Sequence, residues 1–81
     1  MRYSQVSSDR VGQGWSANAV VVERERVLRG WTRRDLALAA RVDPKTLNEF
    51  VGGRRRPHLG TVRALCLALD LRLADVIEFA R

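Results

Sequence analysis

Cysteine, histidine, lysine and long apolar runs are nearly missing from this 81-residue sequence, and each scarcity closes off a class of protein. The single cysteine, Cys66, rules out disulfide stapling and fits a reducing compartment. One histidine, His58, and that one cysteine cannot assemble a metal site. His58 reads as a surface loop residue and Cys66 as a small core residue. No run approaches the ~18 apolar residues that a spanning helix needs. The first residues lack the basic start, apolar stretch and small-residue cleavage site of a signal peptide. The expectation is a cytoplasmic protein with no membrane partner. Signatures of catalysis are missing as well: there is no G-x-S-x-G, no phosphate-binding glycine loop, and no nucleophile with a base at a suggestive spacing. A binding protein is expected, not an enzyme, with no catalytic residue and no cofactor. No internal repeat and no alternating strand pattern stands out.

What is there is positive charge. Fifteen basic residues face nine acidic ones, for a net charge of +6 and a sequence pI near 11.2. A pI above about 9 marks small domains that bind nucleic acid. Because only one basic residue is lysine, an arginine-rich genomic bias accounts for the same composition, and charge needs a fold before it becomes an argument. Eighty-one residues suffice for one small domain, which buries roughly 60–65% of its unfolded surface. The apolar fraction of 46% is that of a globular chain.

Residues 1–16 show no period and read as an arm, with Trp15 open between arm packing, a dimer contact and no role. The domain is expected over 17–81. A first helix is predicted over 17–29, capped by Ser16 and ended by Gly30, with Val20, Val27 and Trp31 on one stripe. Thr32 followed by Asp35 forms a capping box with Asp in place of Glu. It opens a second helix over 33–41 whose inner face is Leu36, Ala37 and Ala40. Asp43 is a good N-cap, and Pro44 at the first helical position gives up an N–H that was orphaned anyway. The third helix therefore spans 44–51, turns Leu47, Phe50 and Val51 inward, and stops at Gly52-Gly53. A basic loop, Arg54-Arg55-Arg56-Pro57, leads to a fourth helix over 60–69, with Val62, Leu65, Cys66 and Leu69 on one face. Asp70 and Leu71 make the next turn, and a fifth helix is predicted over 73–79, carrying Val76, Ile77 and Phe79. The fold class is all-α.

In this order and spacing, Leu36-Ala37, Val42-Asp43, Gly53-Arg54, Pro57-His58-Leu59 and Ala68-Leu69-Asp70-Leu71 resemble the Xre/Cro-type regulators related to lambdoid phage repressors. The resemblance covers residues 22–79. It implies a five-helix lambda-repressor-like DNA-binding bundle whose second and third helices form the helix-turn-helix. The sequence departs from the family pattern in several places. Glu25 stands where an apolar residue is common, and Leu38 and Ala39 stand where polar ones are. Arg41 replaces the usual turn glycine, and Asp70 replaces a common glycine after the fourth helix.

The resemblance also implies partners and roles. Double-stranded DNA is the expected partner, and the role is a transcriptional regulator, such as a repressor. An eight-residue helix is about 12 Å long, matching a major groove about 12 Å wide. Pro44, Lys45, Thr46, Asn48 and Glu49 are the expected base-reading residues: Lys reaches guanine O6 and N7, Asn pairs with adenine, and Glu accepts from cytosine N4. Glu49 has the opposite alternative of repelling nearby phosphates. Thr32, Arg33, Arg34, Arg54, Arg55 and Arg56 are the expected phosphate-binding residues. Arg33 has the alternative of pairing with an acid on its own helix. The alternative function is that of an antitoxin, with the arm docking a toxin protein. A homodimer on DNA is expected, with Val76, Ile77 and Phe79 of the fifth helix either forming its contact or completing the monomer's own core. The chain reads as a stand-alone regulator or the DNA-binding fragment of a longer repressor.

Overall fold

The computed structural model describes residues 14–79; the arm up to Gln13 and the last two residues lie outside the described residues. Strand β1 (Trp15–Ala17) leads into helices α1 (Ala19–Leu28), α2 (Arg33–Ala40), α3 (Pro44–Val51) and α4 (Leu59–Ala68). A single 3-10 turn at Leu73–Asp75 and strand β2 (Ile77–Phe79) follow. There are thus four α-helices and a strand pair among the described residues, not five helices.

The fifth helix gives way to β2 for local reasons. Seven residues are too few to repay helix nucleation unaided, and Val76, Ile77 and Phe79 favour extended backbone. Asp75 Oδ2 accepts from the Arg72 N–H at 3.0 Å, which closes one tight turn and no more. β2 then pairs antiparallel with β1, with Trp15 opposite Phe79 and Ala17 opposite Ile77. Trp15 and Ser16, expected in the arm, therefore lie in the sheet.

α1 is capped by Asn18, not Ser16. The Asn18 Oδ1 accepts from the Val20 N–H at 3.0 Å and the Val21 N–H at 3.4 Å. The same residue ties α1 to β2, donating from its backbone to Val76 O at 2.9 Å and from Nδ2 to Glu78 at 3.1 Å. The expected Val20–Val27 stripe faces solvent, at 72% and 60% exposure, and Val22 is the buried valine. The inner stripe continues from Val22 to Arg26, one turn on, whose side chain is only 14% exposed. Arg26 buries its stem while its guanidinium meets Glu23 at 2.9 Å and the Trp31 carbonyl at 2.6 Å. An arginine in a core-facing position hides the stripe from a hydrophobicity count.

α2, α3 and α4 pack together through Leu36, Ala37, Leu47, Phe50, Val62, Leu65 and Leu69. Cys66 is buried in this core, and burial pushes its thiol above the ordinary value, with Asp75 adding to the effect. Trp31 packs partly buried against it. All four helices end alike. Within two residues of each end one residue takes a positive φ: Gly30 at 73°, Arg41 at 59°, Gly53 at 76° and Asp70 at 58°. The next N–H closes back on the helix, as in Val42 to Ala37 O at 2.9 Å and Leu71 to Cys66 O at 2.8 Å. This is the Schellman arrangement, which satisfies carbonyls the helix end would orphan. No helix of the described residues is long and apolar enough to cross a membrane.

Candidate nucleic-acid interface

The pair α2–α3 is joined by three residues, and its geometry is set by caps at each corner. Thr32 Oγ1 accepts from the Asp35 N–H at 3.0 Å, and Asp35 Oδ2 accepts from the Thr32 N–H at 2.8 Å. That reciprocal box leaves the N–H groups of Arg33 and Arg34 without a protein partner among the described residues. Positive peptide dipoles and two orphan donors at one helix start favour an anion. α3 begins differently. The Asp43 carboxylate accepts from the Lys45 N–H at 2.8 Å, and Pro44 has no N–H to offer. A carboxylate already occupies this end, so it suits neutral partners better than phosphates.

Left-handed Arg41 reverses the chain, and Val42 packs against the core and locks the corner. Leu47 and Phe50 bury one side of α3, while Pro44, Lys45 and Asn48 are exposed and Thr46 and Glu49 half-exposed. Arg33, Arg34, Leu38, Pro44 and Asn48 line the groove between α2 and α3. Leu38, an unusual apolar residue for its position, thus lies in this groove and not in the core. The structure brings Pro44 and Asn48 of α3 together with Arg33 and Arg34 at the start of α2, while Lys45, Thr46 and Glu49 do not line this groove.

The expected phosphate contacts divide by partner. Arg33 pairs with Glu23 of α1 at 3.2 Å, not with an acid of its own helix. Glu23 also binds Arg26, whose hydrogen bonds hold its carboxyl below the ordinary value; burial opposes this and Arg33 adds to it. Arg34 is exposed. Arg54 folds back over Gly52 so closely that a Cβ there would meet its Nη1 at 2.7 Å. Arg55 reaches the outer face of α3, 3.4 Å from Glu49 and 3.5 Å from Thr46 Oγ1. Arg56 donates to the Trp15 carbonyl at 3.3 Å. Sequence reasoning missed Glu23 as the residue that holds Arg33. Its only signal was an acid three residues before Arg26 on a predicted helix. Among the described residues no group of three His, Cys, Asp or Glu side chains is placed to hold a metal ion.

The sequence model of the family described as helix-turn-helix matches residues 22–76, from the middle of α1 to the end of the 3-10 turn. The fold is similar to the crystal structure of the clp gene regulator ClgR from Corynebacterium glutamicum, with a TM-score of 0.64 and 33% identity. That alignment covers 70% of this chain and 61% of the other, so the chain spans less than two thirds of that protein. No curated protein matches the sequence. With the capped helix pair, its left-handed corner and a family match over most of its length, the chain belongs to the helix-turn-helix family of the Xre and lambda-repressor type.

Proposed function

We propose that this domain binds duplex DNA in a sequence-specific manner and regulates transcription, acting as a repressor with α3 in the major groove. The observation that carries the reading is the division of charge along the helix pair. The anion-favouring start of α2 stands on one side of α3, the arginine loop follows its other end, and α3 itself presents Lys45 and Asn48. Phosphate contacts position a protein on DNA and base contacts specify the site. Thr32, Arg33, Arg34, Arg54 and Arg56 take the first role, and Pro44, Lys45, Thr46 and Asn48 the second. The likeness to a protein called a gene regulator supports the same reading. Two such domains would occupy half-sites one helical turn apart, about 34 Å.

The test is a pair of substitutions on α3. Lys45→Ala and Asn48→Ala should each cost about 1–3 kcal/mol on the preferred site and relax the preference at one base pair. Binding is measured on a selected duplex and on a scrambled one. Variants that both keep the parent's ratio between the two duplexes would show that α3 does not read bases.

A further inference from the structure

Arg54, Arg55 and Arg56 are consecutive in sequence and diverge in space. Arg54 covers the end of α3 at Gly52, and Arg56 turns to the Trp15 carbonyl of β1. Arg55 alone lies on the outer face of α3. Its Nη1 is 3.5 Å from Thr46 Oγ1 and 3.4 Å from Glu49 Oε1. Thr46 and Glu49 are three residues apart on a helix, hence neighbours on one face. The guanidinium therefore joins the side chains of α3 from outside the helix.

We infer that Arg55 is a base-reading residue that selects guanine, and that Glu49 is the residue that positions it. This rests on the DNA-binding reading above. Nη1 donates to Thr46 and lies 3.4 Å from Glu49, while Nε and Nη2 make no hydrogen bond among the described residues. The Arg55 side chain is 52% exposed, and the edge that carries those two nitrogens has no hydrogen bond to satisfy it among the described residues. It presents parallel donors in one plane, and guanine O6 and N7 are a matching pair of acceptors in the major groove. The acid beside Arg55 decides between targets. A phosphate approaching the guanidinium meets the Glu49 carboxylate and is repelled, whereas a base edge is neutral and is not. Arg54 and Arg56, which serve phosphates in this reading, pair with no acid among the described residues, and Arg33, whose guanidinium is held by Glu23, offers a phosphate its backbone N–H at the start of α2. Glu49 also removes rotamer freedom from a long side chain before DNA arrives, which lowers the ordering cost of binding. Glu49 thereby changes role, from accepting a cytosine amino group to holding an arginine.

Site selection from random duplexes, run on the whole 81-residue chain, tests the inference. The parent should select a guanine at one position of each half-site. Arg55→Ala should lose that preference by about tenfold or more while the other positions persist. Arg55→Lys, which keeps the charge and loses the planar fork, should lose most of it too. Glu49→Gln should keep the guanine with a weaker preference at an unchanged thermal midpoint. Arg56→Ala should lower affinity evenly on all duplexes. The inference is overturned if Arg55→Ala selects the parent's sites with affinity reduced equally everywhere, or if Arg55→Lys matches the parent. A parent chain that binds no duplex at low salt would remove the underlying reading, an outcome distinct from either.

Discussion

Arg41 and Asp70 occupy the left-handed region, at φ 59° and 58°, where two other helices of the same molecule use Gly30 and Gly53. A Cβ in that region costs roughly 1 kcal/mol against glycine, and Asp bears the cost better than most residues because its short side chain bonds locally. The backbone demand is the same at all four positions, since the same closing bonds follow each. Arg41→Gly should therefore stabilise the fold by about 0.5–1 kcal/mol, and Asp70→Gly by less. For a domain of this size 1 kcal/mol corresponds to about 4–8 °C, so thermal unfolding resolves the Arg41 variant. A lower midpoint for Arg41→Gly would mean that the arginine side chain contributes more than its backbone strain costs. The sequence already showed Arg41 and Asp70 as departures at glycine positions, and the positive φ at each says why glycine is common there.

The boundaries of α2 and α3 were legible because their signals are local. Thr32 with Asp35, Asp43 with Pro44, and Gly53 sit within one turn of the ends they define, and α2 and α3 have close to the extents those residues predict. The strand pair was not legible. Each strand has three residues, too few for alternation to show, and the link from Asn18 to Glu78 spans 60 positions. The cross-helix tie at Glu23 was equally hidden, because it joins α1 to the start of α2 through side chains ten positions apart. That tie is testable by pH. Arg26, at 2.9 Å, does most to hold the Glu23 carboxyl below its ordinary value, and Arg33 adds to it. A carboxylate whose folded pKa is depressed adds stability at pH above its unfolded value, about 4.3. It loses that contribution as pH falls through the folded value. The stability difference between the parent and Glu23→Gln should thus be largest near neutrality and shrink below about pH 4. Urea unfolding at pH 7 and pH 3 measures it. An equal difference at both would assign the role of Glu23 to shape instead of charge.

At the scale of the whole molecule, the apolar surface near the sheet bears on the proposal that two copies pair on DNA. The dimer contact expected from a fifth helix has to be rebuilt on β2. Val76 is fully buried in its own domain's core and has no face to give, while Ile77 is partly buried against that core and lines the groove beside it. Phe79 is 77% exposed and Leu59 51% exposed, and both line an apolar groove with Trp15, Leu73 and Ala74. Few large side chains are left outward here, far short of the contiguous core that obligate dimers bury. A single domain reading one half-site binds weakly, and a second domain adds to it through effective concentration once both sit on one duplex. The expected state is therefore a monomer or weak dimer in free solution that pairs on a duplex with two half-sites about 34 Å apart. Sedimentation with and without that duplex measures it. Phe79→Ser should leave the monomer's stability nearly unchanged, because the ring is mostly in water already, while weakening the second binding step on the two-site duplex. A tight dimer without DNA would place the contact elsewhere, on a surface larger than the groove beside β2.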